Sequence, residues 1–122
     1  MRRLLPPILA VLLFVSTPAL ADALGDAQSA YKRGDYETAF RLFQPLAERG
    51  DVSAQSMLGL MYDEGKGVPN NYVLAYMWFD LAAAHGDGTA FWSRNTVAAK
   101  MTAAQIAEAR RLAREWKPKQ SP

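Results

Sequence analysis

Apolar residues recur along this chain with the spacing of helices that bury one side. From Tyr36, and again from Tyr72, apolar residues fall at i, i+3, i+4, i+7 and i+11. This spacing places the side chains on one face of an α-helix, whereas a half-buried strand would alternate apolar and polar residues. The pattern therefore predicts two amphipathic helices that are related by a shift of 36 residues.

The same shift relates the turns that follow these helices. Glycine takes the left-handed conformation just past a helix end without a Cβ penalty, and an aspartate after it can cap the next helix. A fixed period of this length is typical of stacked helical repeats. The positions that recur are Gly50 and Gly86, Asp51 and Asp87, and Ala54 and Ala90.

Four further segments have helical patterns, so the sequence predicts an all-α fold of about six helices. They are residues 24–33, 52–64 and 89–100, and a last helix that Thr102 and Gln105 open as a capping box and Pro118 ends. Three antiparallel helix pairs of this kind would stack as a short α-solenoid, in which each pair buries its face on the next. Pro45 does not fit the second helix, and we expect a kink or an early 3₁₀ ending there.

The N-terminal residues have the pattern of a cleaved signal peptide. Arg2 and Arg3 precede an apolar run over residues 4–15, and Ala19-Leu20-Ala21 matches an A-x-A processing site. A run of about a dozen residues is short of the roughly 20 that span a bilayer. We therefore expect cleavage before Asp22, export to the periplasm or beyond the cell, and no membrane span in the mature form.

The charge distribution and the absence of cysteine limit which binding partners and which kinds of metal site or catalysis are expected. Residues 22–93 carry five Lys/Arg and ten Asp/Glu, whereas residues 94–122 carry seven Lys/Arg and two Asp/Glu. The basic end is interpreted as a solvated face that could also dock an acidic partner, and nucleic acid is not an expected partner of an exported protein. The absence of cysteine excludes a disulfide framework, zinc–thiolate sites and thiol catalysis.

One long, ordered motif carries a family resemblance. It runs Ala-Gln-Ser-Met-Leu-Gly-Leu-Met-Tyr-Asp-Glu-Gly-Lys-Gly-Val-Pro over residues 54–69, continues with Tyr72, Ala75, Trp78, Ala82 and Ala83, and closes with Gly86 and Asp87. This resembles the Sel-one-like repeat family, relatives of the tetratricopeptide repeat. The resemblance marks residues 51–87 as a complete repeat and 24–50 as a shortened copy that lacks the Gly-x-Gly-Val loop.

The resemblance weakens after Asp87, because Arg94 and Asn95 stand where the motif has Leu-Gly. Residues 88–117 are therefore predicted to be a capping helix pair that completes a domain over 22–117, and 118–122 a disordered tail.

The resemblance implies an adaptor or scaffold that binds a protein or peptide, with no catalytic residue, cofactor or metal. We therefore predict an exported, non-enzymatic interaction module of the bacterial envelope. One alternative is a small envelope hydrolase that acts on cell-wall material with carboxylates such as Asp63 and Glu64. Another is a structural repeat protein that self-associates through its open ends.

The binding surface can be predicted from the helical repeat. In stacked pairs the first helix of each pair lines the concave face. Leu60 and Trp92 would be its apolar anchors. Trp92 could instead pack as core against the last helix. We expect six other aromatic residues to be core, namely Tyr36, Phe43, Tyr72, Trp78, Phe79 and Trp116. The predicted binding stripe lies opposite the buried side of the third helix and recurs 36 residues later on the fifth helix. It comprises Ser53, Ser56, Leu60, Asp63, Thr89, Trp92 and Thr96.

Overall fold

The computed structural model describes residues 18–120, which form six α-helices with short connections. Residues 1–17 of the predicted signal peptide lie outside the described residues. The helices are α1 (Pro18–Lys32), α2 (Tyr36–Glu48), α3 (Val52–Glu64), α4 (Tyr72–Ala84), α5 (Gly88–Ala98) and α6 (Ala103–Glu115). The prediction of an all-α fold with six helices is confirmed for this part of the chain, and α1 begins six residues earlier than the pattern indicated.

Asp51, Asp87 and Thr102 cap the starts of α3, α5 and α6 as the sequence predicted, because each cap depends on local hydrogen bonds. The carboxylate of Asp51 accepts the backbone N–H of Ala54 at 2.8 Å, and that of Asp87 accepts the N–H of Ala90 at 3.0 Å. Both bonds satisfy donors that an α-helix leaves unpaired in its first turn. Gly50 before Asp51 has φ +105°, and the capping box at the start of α6 is present.

Of the two outcomes expected at Pro45, a kink or an early 3₁₀ ending, the early ending does not occur. The helix continues to Glu48, and the carbonyl of Pro45 accepts the backbone N–H of Arg49 at 3.2 Å. Proline removes one backbone donor and crowds one carbonyl. That local cost is outweighed because the residues around it, Phe43, Leu46 and Ala47, are buried against the neighbouring helices.

Helix α4 lies at the centre of the fold. Seven of its thirteen residues are buried, which is typical of a helix that other elements surround. Its Met77, Trp78 and Leu81 join a core with α1, α2 and α3, and its other buried residues join a second core with α5 and α6. The two cores therefore meet in α4.

Helix α6 has its main backbone contacts with α4 and not with α5. At its C-terminal end Trp116 meets Trp78 edge to face, with the ring centroids 6.3 Å apart. Beyond it, Lys119 donates its backbone N–H to the carbonyl of Glu48 at 2.7 Å. The last helix and the residues after it thus run back over the middle of the molecule, so α5 and α6 are not as closely paired as α3 and α4.

Among residues 18–120, no helix combines the length and the apolar character needed to cross a bilayer.

Candidate binding groove

The first helices of the three pairs, α1, α3 and α5, line two adjoining hollows that we call the groove. The hollow between α3 and α5 has a volume of about 190 Å³. The hollow between α1 and α3 has a volume of about 420 Å³. Met57 and Leu60 line both hollows and so separate them. The full linings are Ser56, Met57, Leu60, Phe79, Thr89, Ala90 and Ser93 for the first, and Gln28, Tyr31, Lys32, Met57 and Leu60 for the second.

Three residues of the predicted stripe, Ser56, Leu60 and Thr89, come together in this groove. The prediction missed Met57 and Ser93, which are related by the same 36-residue shift. At 100° per residue, Met57 lies 40° beyond Ser53 and Ser93 lies 40° beyond Thr89, in each case towards the buried side. A stripe drawn 40° wider would have included both.

The other predicted residues do not line either hollow. Ser53 and Thr96 are exposed on their helices. The carboxylate of Asp63 pairs with the ammonium of Lys100 at 2.9 Å, which joins the C-terminal ends of α3 and α5. Asp63 therefore acts at the rim, as a contact between repeats.

Trp92 is neither core nor part of the groove lining. Its side chain is 72% exposed, so the prediction that it packs as core is wrong. It meets the neighbouring Phe91 edge to face, with centroids 6.0 Å apart, and Phe91 is itself 45% exposed. The two rings form an aromatic patch on the side of α5 that faces away from α4.

Of the six aromatic residues predicted as core, Phe43, Trp78 and Phe79 are buried, and Tyr36, Tyr72 and Trp116 are half-buried.

A polar contact holds α3 and α5 together beside the groove. The Ser56 hydroxyl donates a hydrogen bond to the Asp87 carboxylate that caps α5. This bond, and then the bond from the Ala90 N–H, holds the pKa of Asp87 below its ordinary value, because both stabilise the ionised form. A charged cap therefore joins α3 to α5 beside this hollow.

A third hollow is an open cleft of about 660 Å³ between the α1–α2 turn and the α3–α4 loop. Gly34, Gly65 and Gly67 supply much of its lining as backbone. Beside it, the Lys66 ammonium pairs with Glu64 at 2.8 Å and lies over the ring of Tyr36, 5.1 Å from its centroid. The cleft offers few apolar side chains, which distinguishes it from the groove.

The carboxylates considered for hydrolysis, Asp63 and Glu64, are thus each held by a lysine, in separate ion pairs. Within residues 18–120, no three side chains of His, Cys, Asp and Glu converge as a metal site would require.

Comparison with known proteins places this geometry in a family. No curated protein sequence matches the chain. A solved structure does: the crystal structure of a protective antigen present in uropathogenic Escherichia coli strains, which displays an SLR fold. It is 30% identical, the match has a TM-score of 0.73, and it covers 80% of this chain but only 22% of that longer one.

The Sel1 repeat family model matches residues 19–51 and 52–87, which is more than half of the chain. Proteins with this fold are generally interaction modules and typically act as non-catalytic scaffolds. The two matched repeats are the two helix pairs α1–α2 and α3–α4. The chain belongs to the Sel1 repeat family.

Proposed function

We propose that this chain is an exported, non-enzymatic helical-repeat module that binds a protein or peptide of the bacterial envelope in the groove between α1, α3 and α5. The observation that carries the proposal is the lining of the α3–α5 hollow, in which Met57, Leu60 and Phe79 supply an apolar wall on the predicted binding face. A pocket of about 190 Å³ is below the roughly 300–1,000 Å³ typical of small-molecule sites. It suits one apolar side chain of a longer ligand.

The hollow between α1 and α3 adds a second requirement for the ligand, namely a negative charge. Tyr31 and Lys32 approach it from α1, on the far side of Met57 and Leu60. A ligand that crosses both hollows would place an apolar side chain between α3 and α5 and a carboxylate near the Lys32 ammonium. We therefore propose an acidic–apolar peptide segment as the ligand, because an exposed lysine favours such a segment through charge.

Site-specific cross-linking tests the location. A photoreactive residue at Ser93, inside the groove, should join the ligand in living cells, and mass spectrometry would identify the joined peptide. The same residue at Ala104, which is exposed on α6, is the matched control and should not join it. Equal cross-linking at both positions, or cross-linking at Ala104 alone, would remove the groove from the proposal.

Affinity then tests the chemistry. We expect Leu60→Asp to weaken binding of the identified peptide at least tenfold, because it places a charge on the apolar wall. Ala104→Asp makes the same change of charge on an exposed residue and should leave the dissociation constant unchanged. Calorimetry gives both values, and circular dichroism checks that each variant is folded. An unchanged affinity for Leu60→Asp would contradict the assignment.

Export is a separate part of the proposal. It predicts that the chain, expressed from its full reading frame, is recovered from the periplasm or the medium with an intact mass that begins at Asp22. Cleavage there would leave Asp22 in the first turn of α1, where a carboxylate is favoured by the helix dipole. Recovery of the uncleaved chain from the cytoplasm would refute this part and leave the binding proposal standing.

A further inference from the structure

The cleft between the α1–α2 turn and the α3–α4 loop is large enough to hold a ligand of its own. Its volume is about 660 Å³, and small-molecule sites typically have roughly 300–1,000 Å³. Tyr36 supplies an aromatic ring to the lining, and the two charged side chains that line the cleft, Asp35 and Glu37, are both carboxylates. Both carboxylates belong to exposed residues. The lining therefore favours a positively charged ligand.

The ring of Tyr36 also meets a second aromatic ring, that of Tyr31 at the end of α1. Their centroids are 5.1 Å apart, and the ring planes are inclined by 65°. Burial, and then the negative charge of Glu64, raise the pKa of Tyr31 above its ordinary value, so this carboxylate lies near the rings. We call Tyr31, Tyr36 and Glu64 the aromatic corner. It is complementary to a cation, because aromatic faces and a carboxylate both attract positive charge.

The chain's own Lys66 shows which cation fits the aromatic corner. Its ammonium nitrogen lies 5.8 Å from the centroid of Tyr31, 5.1 Å from that of Tyr36, and 2.8 Å from a carboxylate oxygen of Glu64. Cation–π attraction acts within about 6 Å of a ring centroid. The hydrogen bond to Glu64 raises the pKa of Lys66 above its ordinary value, because it stabilises the charged form. The corner therefore accommodates a primary ammonium on a flexible alkyl chain.

The Lys66 side chain can leave the aromatic corner without disturbing the loop that carries it. The side chains of Lys66 and Glu64 are each 38% exposed, and exposed ion pairs contribute little to folding stability. The loop is held by its backbone instead. Lys66 donates its N–H to the carbonyl of Met61 at 3.0 Å, and Gly67, at φ +73°, packs against the backbone at the start of α2. The corner therefore keeps its shape when the ammonium leaves.

The next repeat has a similar contact but no second ring. The Lys100 ammonium lies 5.2 Å from the centroid of Tyr72 and pairs with a carboxylate at the end of α3 at 2.9 Å. Tyr72 stands 36 residues after Tyr36, whereas the residue 36 positions after Tyr31 is Gly67. The second ring and the adjoining cleft therefore distinguish the contact that Lys66 makes from a simple contact between repeats.

We propose that the cleft and the aromatic corner form a second binding site, which takes the lysine side chain of a peptide ligand. The ligand's ammonium takes the place of the Lys66 ammonium, donates a hydrogen bond to Glu64 and lies against both tyrosine rings. The rest of the peptide lies in the cleft, near Asp35 and Glu37. Lys66 competes with the ligand and so lowers the affinity of the site. This inference concerns the cleft and stands independently of ligand binding in the groove.

Removal of the Lys66 ammonium tests the proposal. The probe is the tripeptide Ala-Lys-Ala, blocked at both ends. Lys66→Gln should bind it more tightly than the parent by about fivefold or more, since two rings and a carboxylate are freed. Lys100→Gln is the matched control, because it makes the same change of charge and also removes an ammonium from a tyrosine ring. It should bind the probe as the parent does.

All chains are expressed from the full reading frame, and circular dichroism checks that each variant is folded. Nuclear magnetic resonance titration, followed on the ring signals of Tyr31 and Tyr36, gives the dissociation constants and places the probe at the corner. Glu64→Gln, added to Lys66→Gln, removes the carboxylate at an exposed residue with little change in size. It should weaken binding of the probe by about fivefold or more, because a charge-assisted hydrogen bond is lost.

Two altered probes test the chemistry of the ligand. A probe with norleucine in place of lysine lacks the ammonium and should not bind. A probe with trimethylated lysine keeps the positive charge but has no N–H to donate to Glu64, so it should bind more weakly than the lysine probe.

Four results would overturn the proposal. If Lys66→Gln binds no better than the parent, or neither binds, Lys66 does not occupy the place of a ligand. An equal gain for Lys100→Gln indicates a general effect of net charge. Binding of the norleucine probe shows that the ammonium is not recognised. Tighter binding of the trimethylated probe excludes an unmodified lysine as the preferred ligand.

Discussion

Gly59 offers the sharpest test of how closely the helices pack. It lies within α3, and an added Cβ would meet three atoms of the Phe79 ring at 2.6–2.9 Å. Phe79 is 3% exposed, so its ring has little space into which it can move. We therefore predict that Gly59→Ala destabilises the fold, even though alanine is the better helix former.

Two opposing effects set the magnitude. Replacing glycine by alanine inside a helix stabilises it by about 1 kcal/mol. Forcing an extra methyl group into a packed core costs about 1–3 kcal/mol, and the contact with a buried ring at under 3 Å puts this site at the upper end. The net loss should be about 1–2 kcal/mol, which lowers the melting temperature of a domain this size by about 4–15 °C.

Gly25 is the matched control, because it is exposed within α1 and nothing lies within 4 Å of its added Cβ. Gly25→Ala should therefore be neutral or stabilising by up to about 1 kcal/mol. Thermal and urea unfolding followed by circular dichroism would give both values. The double variant Gly59→Ala/Phe79→Leu should recover part of the loss by making room. A Gly59→Ala variant as stable as the parent would refute the reasoning that α3 and α4 need this glycine.

Three further perturbations test other parts of the structure. Trp78→Ala should cost about 3–5 kcal/mol, because Trp78 is 7% exposed. Trp92→Ala should stay within about 0.5 kcal/mol, because Trp92 is 72% exposed. Similar losses in urea unfolding would contradict the buried position of Trp78 and the exposed position of Trp92. Gly34→Ala should cost about 1–2 kcal/mol from its positive φ alone. Gly67→Ala should cost clearly more, since its Cβ would also clash with the Tyr36 carbonyl oxygen; equal losses for the two variants would rule out that close approach. The pKa of Asp87 is lowered in the folded state, so its ionised carboxylate stabilises the fold at pH values above its ordinary pKa of 3.8. This stabilisation is lost as the pH falls through the pKa of Asp87 in the folded state. Ser56→Ala should therefore destabilise most near neutral pH and least in acid, while a difference from the parent that does not change with pH would argue against the Ser56–Asp87 bond.

Much of the local structure could be read from the sequence, because it depends on neighbours along the chain. The apolar spacing predicts the helices, and Asp51, Asp87 and Thr102 mark helix starts through bonds to residues three positions later. The 36-residue recurrence and the Gly-x-Gly-Val loop were sufficient to identify the family. Leu60 lines the groove, on the side of α3 that the helical period places opposite the buried residues.

What the tertiary structure decided depends on how the helices cross, which no local pattern specifies. Met57 enters the groove because α1 and α5 flank α3 on both sides. The burial of residues after Pro45 carries α2 past a residue that favours ending it. Helix α6 packs on α4 and not on α5. As a result Trp92, whose sequence allowed either core or surface, is exposed, since the burial of a side chain depends on which helix covers it.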